Sequence, residues 1–331
     1  MSRESVLALL STHEGEYLSG EQISRELGVS RAAVWKAVSA LRREGFAVDA
    51  RTGLGYRLSA APDVLTEAAV RRCLAPTRAV GRELHCFSTL DSTNSYLKRL
   101  GAQGACDGCA ALADEQTAGR GRRGRSFSSE AGCGVYLSVL LRPQVDAQRL
   151  LPLTGLAAVA VCRAVERVAP VEVQIKWTND LLLGGKKLCG ILTELAVEGE
   201  TGSLEYVVIG AGVNVNNTRF PDELAGLATS LYAHTGKKIS RAALAAAMLE
   251  ELDTLYGALL CGSTADYLDE YRRRCVGIGR EARLMWREAQ EKVTVLGVDD
   301  ELGLIVRHAD GTQETIRTGE VSVRGLYGYA E

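Results

Sequence analysis

Between residues 116 and 125 the chain reads Gln-Thr-Ala-Gly-Arg-Gly-Arg-Arg-Gly-Arg, three glycines and four arginines in one polar stretch. Glycines let backbone N–H groups converge on an anion, and guanidinium groups offer forked donors that match carboxylate and phosphate oxygens. Alone, such a run reads more readily as a solvated basic linker. Three further segments put polar groups where a packed domain would not need them: Asp91-Ser92-Thr93-Asn94; Lys176-Trp177-Thr178-Asn179-Asp180, followed by Lys186-Lys187-Leu188-Cys189-Gly190; and Gly210-Ala211-Gly212-Val213-Asn214-Val215-Asn216. Each has a plainer reading. Ser92 and Asn94 could cap a helix, Asn179-Asp180 could be a turn, Lys187 could be a solvated strand lysine, and the Gly-x-Gly pair lacks the third glycine of a dinucleotide fingerprint.

The elements that must position these groups are mixed. Residues 133–141 read as a buried strand, and 151–168 as a helix opened by Pro152 despite Gly155 inside it. Residues 171–177, 180–183, 187–197 and 205–212 are β-rich and divided by short Thr-Asn and glycine turns, which favours antiparallel pairing over repeated crossovers. An α+β domain follows from this, not a Rossmann sheet. Residues 244–260 and 265–274 read as helices. Beyond Cys275 the short β segments 282–286, 292–298, 304–308, 314–317 and 321–324 suit a small SH3-like β-barrel.

The first 60 residues predict a separate module. Ser19 and Gln22 have capping-box spacing, with Leu18 and Ile23 spaced as a hydrophobic staple. Gly28 ends that helix and Ser30 can cap the next, with Val29 and Val34 as a second staple. On the second helix Val34, Val38 and Leu41 share one face, leaving Ser30, Arg31, Trp35, Lys36, Ser39 and Arg42 to reach phosphates and base edges. Residues 46–58 alternate and turn on Gly53 and Gly55, as a wing would. A winged helix-turn-helix that binds DNA is expected, joined by a linker at 59–63.

Length and composition bound the rest. The 331 residues allow two or three domains, and 46% hydrophobic with 24% charged residues is ordinary for a globular protein. A net charge of −2, from 39 basic and 41 acidic residues, confines any DNA binding to a local patch. No sustained apolar run suggests a signal peptide or membrane span, so no membrane association and a cytoplasmic location are expected. The nine cysteines are scattered, with Cys162 and Cys189 in apolar surroundings typical of buried thiols. Cys106 and Cys109 have the spacing of half a zinc site, but no second pair or His cluster completes it, and no protein-held metal is expected.

In order, Gly-Arg-Gly-Arg-Arg-Gly at 119–124, Lys-Trp-x-Asn-Asp at 176–180 and Lys-Leu-x-Gly-Ile-Leu at 187–192 resemble the biotin–protein ligases. With the front module, the chain resembles the bifunctional members that double as biotin-operon repressors. The resemblance covers nearly the full length and implies three domains: a winged helix-turn-helix at 1–60, a biotin/lipoate-ligase-like catalytic domain with a mixed sheet at 65–274, and an SH3-like β domain at 275–331. It implies a two-step reaction in which biotin attacks the α-phosphorus of ATP to give biotinyl-5′-adenylate and pyrophosphate. The lysine amine of a biotin carboxyl carrier protein domain then takes the acyl group. Mg²⁺ would arrive with ATP.

By the same resemblance Ser92, Thr93, Asn94 and Gln116 would bind the ureido head of biotin, and the backbone from Gly119 through Arg120 and Gly121 to Arg122 would hold its carboxylate. Arg122 would sit at the α-phosphate with Lys187 between the two anions. Arg125, Asn179, Asp180 and Asn214 would serve ATP, with Arg122, Lys187 and Asp180 as the catalytic set. The family commonly carries proline where this chain has Thr178, a change expected to alter stiffness and no substrate contact. Operator DNA, a ligand-linked homodimer and the adenylate as corepressor complete the implied partners. A lipoate-transferring relative or a non-catalytic biotin sensor are the rival readings.

Overall fold

The computed structural model describes residues 3–13, 15–43, 46–60, 63–199, 203–286, 289–317 and 320–322. The chain divides into two compact units, residues 1–63 and 64–331. Of the expected features, linker residues Ala61 and Pro62 and the strand end at 323–324 lie outside the described residues.

The first unit comprises helices α1 (Arg3–Thr12), α2 (Gly20–Leu27) and α3 (Arg31–Arg43) and an antiparallel ribbon of β1 (Ala47–Arg51) and β2 (Gly55–Ala60). The sequence signals at the helix ends are realised: Ser19 and Gln22 form a reciprocal capping box, and Gly28 takes the left-handed conformation that stops α2. Ser30 Oγ accepts the Ala33 N–H at 3.2 Å, at the start of α3. Val34, Val38 and Leu41 are buried with Ile23, Leu10 and Leu58. At Gly55, φ is +106° and a Cβ would lie 2.1 Å from the Leu18 carbonyl oxygen, so only glycine lets β2 pair with the chain at Leu18.

The second unit is built on a seven-stranded mixed sheet in the order β3-β4-β5-β9-β8-β7-β6. Its strands are β3 (Leu84–Leu90), β4 (Ala110–Gln116), β5 (Gly134–Leu141), β6 (Gln174–Lys176), β7 (Asp180–Leu183), β8 (Lys186–Val197) and β9 (Leu204–Asn214). Only β3 and β4 run parallel; the other neighbours are antiparallel. Helix α4 (Glu67–Cys73) precedes β3, and α5 (Thr93–Ala102) covers one sheet face through Leu97, Ala111, Leu140 and Val208. Helix α6 (Leu153–Val168) lies on the other face. The short helix α7 (Leu231–Thr235) follows β9, and α8 (Arg241–Cys261), capped by Ser240 and Gly262, packs on α6. Each fully buried Val or Leu of α6 contributes roughly 1.5–3 kcal/mol.

Helix α9 (Ala265–Arg274) leads to a five-stranded antiparallel sheet in the order β13-β12-β11-β10-β14. Its strands are β10 (Glu281–Trp286), β11 (Ala289–Val298), β12 (Leu304–Arg307), β13 (Gln313–Ile316) and β14 (Glu320–Ser322). Among the described residues no pairing closes this sheet into a barrel. Nor is it walled off from what precedes it: Ala282, Leu284, Val295 and Leu302 belong to the same buried cluster as α6 and α8. Leu302, at the β11–β12 turn, has φ +63°, and its Cδ1 lies 2.1 Å from where a Cβ on Gly155 would stand. Gly155 is therefore a notch in α6 that admits Leu302. No helix among the described residues is long and apolar enough to cross a membrane.

Candidate active site

Because β3 and β4 are parallel, with Leu90 paired to Gln116, their carboxyl ends lie together and bring the start of α5 beside Gln116. The Thr93 backbone N–H and hydroxyl donate to Gln116 Oε1 at 2.9 and 3.1 Å, and Gln116 Nε2 donates to Ser129 Oγ at 2.9 Å. Ser92 Oγ accepts the Ser95 N–H at 3.4 Å, so it also caps α5. Asn94 donates to the Leu192 carbonyl at 3.3 Å and to Glu194 at 2.9 Å. Its Oδ1 lies 2.0 Å from the position of a Cβ on Gly210. Buried Ser138 on β5 sits 2.7 Å from Thr93 Oγ1 and 2.6 Å from Asn94 Oδ1. Glu194 meets Lys98 at 2.8 Å and Arg120 at 3.7 Å. Burial pushes its carboxyl up, but the hydrogen bonds from Lys98 and Asn94 and the nearby cationic charge outweigh that and leave it below its ordinary value.

The glycine/arginine segment lies across from this network as an irregular loop with one 3₁₀ turn, Arg122–Gly124. Arg122 Nη1 donates to Thr178 Oγ1 at 2.8 Å and to Asn179 Oδ1 at 3.0 Å. Thr178 is therefore a direct partner of the arginine, a contact that proline could not make and that adds to the expected change in stiffness. Asn179 is fixed in turn by donating to the Ile191 carbonyl at 2.8 Å. Lys187 Nζ stands 2.7 Å from Asp180 Oδ1 across the β7–β8 pair. From behind, Trp177 Nε1 donates to the Leu302 carbonyl at 2.7 Å and the Tyr271 hydroxyl to the Thr178 carbonyl at 3.2 Å. Asn214, buried at the end of β9, donates to the Thr229 carbonyl at 3.1 Å.

Between these walls is a cavity of about 480 Å³ bordered by Ser92, Thr93, Asn94, Gln116, Arg120, Gly121, Arg122, Arg125, Asn179, Asp180, Lys187 and Asn214. Gly119 alone of the expected binding residues is not on its lining. It is buried, and a Cβ there would meet the Phe127 carbonyl oxygen at 2.4 Å, so its part is to let the loop fold back on itself. The Gly121 N–H is likewise spent within the loop, donating to the Arg125 carbonyl at 2.7 Å.

Residues beyond the sequence expectation also border the cavity. The Phe127 ring rests on Gly212, where a Cβ would come within 2.6 Å of it. Trp177 and Asn217 line the wall, and Asn217 Oδ1 is buried with no hydrogen-bond partner among the described residues. The signal for Phe127 and Trp177 was their rarity: the chain has only 4 Phe and 3 Trp, and these two adjoin the polar motifs.

In the first unit Arg31, Trp35 and Lys36 are exposed on α3, Trp35 by 60%, and Ser39 is half-buried. Ser30 is exposed while capping α3. Arg42 departs from the expected free contact: its Nε and Nη2 donate to the Val48 carbonyl at 2.8 and 2.6 Å, tying helix to wing.

Residues 86–214 match the Biotin/lipoate A/B protein ligase family, and residues 2–57 match an HTH domain. The chain is 38% identical over 314 residues to the bifunctional ligase/repressor BirA of Bacillus subtilis, covering 94% of this chain and 96% of that one. It is 31% identical to BirA of Escherichia coli over 320 residues, 96% of each chain. Among solved structures, the biotin protein ligase of Aquifex aeolicus in complex with biotin and ATP superimposes with a TM-score of 0.62 at 29% identity, over 73% of this chain and 99% of that one. With both matched domains in one chain and near-full-length relatives of the same build, the chain belongs to the biotin/lipoate A/B protein ligase family and, within it, to the bifunctional ligase/repressors.

Proposed function

We propose that this chain joins biotin to ATP in the cavity between α5 and the glycine/arginine loop, passes the acyl group to a carrier lysine, and uses the adenylate to control its DNA-binding module. The observation that carries this reading is the convergence of Arg122, Lys187 and Asp180 on one wall with the Thr93–Gln116–Asn94 network on the other. The polar network suits the ureido head of biotin, which must be hydrogen-bonded when buried. The opposite wall suits anions. A carboxylate approaching a triphosphate is opposed by repulsion, which Lys187 offsets at the developing bond while Arg122 holds the α-phosphate.

The Asp180 carboxylate is the hard oxygen donor suited to Mg²⁺ carried by the nucleotide, an ion that would neutralise phosphate charge, while Asn179 keeps Arg122 oriented towards the nucleotide. Asn217 Oδ1 leaves a buried acceptor for a ligand N–H. Once formed, the mixed anhydride is retained by Arg122, which Thr178 and Asn179 hold in place. A carrier lysine amine then attacks the acyl carbon and AMP leaves. The exposed residues Arg31, Trp35 and Lys36 of α3 are the proposed operator contacts. The free thiols of all nine cysteines suit a reducing cytoplasm.

Adenylate binding would order the glycine-rich loops into a surface for a second copy, and two modules would then meet two operator half-sites. Mass spectrometry of a biotin carboxyl carrier domain incubated with this protein, biotin, Mg²⁺ and ATP tests the ligase. One biotinyl group on a single lysine is expected; an unmodified carrier refutes it. Sedimentation with and without biotin plus ATP tests the dimer, and an unchanged association constant refutes that part.

A further inference from the structure

At the opposite, amino ends of β3 and β4, the parallel pairing assembles a second group of chemistry-bearing side chains. Leu84 is paired with Ala110 and His85 with Ala111, so Glu83 falls beside Cys109. Paired residues share a sheet face and alternate residues return to it, which puts Glu83, His85 and Cys109 on one side. Their ligand atoms lie within 4.8 Å of one another. Cys106 joins them from the preceding turn: its Sγ donates to Glu83 Oε2 at 2.9 Å. His85 is already oriented, with Nδ1 3.2 Å from the Tyr96 hydroxyl on α5 and Nε2 2.8 Å from Glu83 Oε1. The sequence showed only the Cys-x-x-Cys half because the other two donors stand more than 20 residues upstream and arrive by strand pairing.

We propose that Cys106, Cys109, His85 and Glu83 form a zinc site distinct from the ligand cavity. Two sulfurs, an imidazole nitrogen and a carboxylate oxygen are a zinc donor set, too soft for Mg²⁺ or Ca²⁺. Bonds of about 2.0–2.3 Å to a tetrahedral ion place its donors roughly 3.3–3.8 Å apart, so contraction by about 1 Å brings Glu83, His85 and Cys109 to that spacing, and the exposed Cys106, already on Glu83, swings in from its turn as the fourth ligand. The Tyr96 hydroxyl would accept from the far nitrogen of the liganding imidazole and fix its orientation. Binding releases the thiol protons to solvent.

The site's role is structural. The seven residues of β4 put Gln116 about 20 Å away. Zinc would clamp the turn at 104–109 against β3, while Asp107 in the same turn is already held by Tyr256 of α8 at 2.7 Å and by the Arg142 backbone N–H at 2.8 Å.

The full chain, stripped by chelator under reducing conditions, is titrated with zinc sulfate alone against a chromophoric competitor, and separately with cobalt. One zinc per chain is expected, with a thiolate-to-cobalt charge-transfer band and a raised melting temperature. Cys106→Ser and His85→Ala, both at solvent-reached positions, weaken zinc binding at least tenfold; Cys73→Ser and Cys261→Ser, at exposed thiols elsewhere, leave it unchanged. Carrier biotinylation by Cys106→Ser stays at the wild-type rate. Zinc content below about a tenth per chain, binding indifferent to Cys106→Ser and His85→Ala, or recovery of Cys106 and Cys109 as a disulfide overturns the proposal.

Discussion

Replacing Lys187 by Met separates two things the 2.7 Å contact with Asp180 could be doing. If Lys187 serves the reaction, losing its charge removes stabilisation of the carboxylate–phosphate encounter, about 3–4 kcal/mol or 10²–10³-fold in the adenylation rate. If it serves the fold, the cost appears as stability, because the Asp180 side chain is only 16% exposed and loses a cation at 2.7 Å; removing one partner of a pair this shielded costs about 1–3 kcal/mol. Both effects are expected in the single variant, and the double variant Lys187→Met/Asp180→Asn pulls them apart. It should recover most of the lost stability, since the negative charge that Lys187 offset is also gone, without recovering the rate. Pyrophosphate release in the first half-reaction gives the rate, and urea unfolding gives the stability. A double variant whose adenylation returns with its stability would make the pair a structural strut and refute the catalytic assignment.

Arg122→Gly should fold normally but release its adenylate and label lysines on bulk protein, while Thr178→Val, which removes one of the two acceptors on Nη1, should show the same leak at about five- to tenfold lower severity; bulk biotinylation measured by avidin blot checks both. Gly210→Ala drives a methyl group into Asn94 and should raise the KM for biotin while destabilising the chain by about 1–3 kcal/mol, read by isothermal titration and melting. Because Glu194 is held below its ordinary pKa, its contribution to stability is complete above about pH 4.3 and is lost as pH falls through the lowered folded value. Melting temperature should therefore fall less steeply with acidification in Glu194→Gln than in the wild type. Trp35→Ala, at an exposed position on α3, should abolish operator binding in a gel-shift assay and leave the melting temperature within a degree or so.

The parts of this architecture that were legible in the sequence are those fixed by local physics. Ser19, Gln22, Gly28 and Ser30 punctuate helices by hydrogen bonding to their own backbone, and α9 coincides with its expected span at 265–274. Strand limits depend on partners and are less legible. The strand expected at 171–177 shrinks to Gln174–Lys176, and β9 continues past Gly212 to Asn214 because β5 pairs with it to the end. The cavity residues were legible as types, since anion chemistry demands Arg and Lys. Their division of labour was not: nothing in the spacing shows that Gly119 makes room for a carbonyl, that Arg42 is spent on Val48, or that Thr178 steadies Arg122. Those roles exist only once the chain has folded back on itself, over a short span for Arg42 and Gly119 and between distant segments for Arg122 and Thr178.

The hydrogen bond from Trp177 to Leu302 has a consequence for how the protein could be shortened or divided. The turn that supplies this carbonyl is wedged into α6 at Gly155, so the floor under Lys176 to Asp180 hangs from the carboxyl-terminal sheet. Cutting that sheet away would not yield a trimmed enzyme with an intact vitamin pocket. It would let the strand bearing Asp180 sag, and adenylate formation itself, rather than carrier docking alone, would fail.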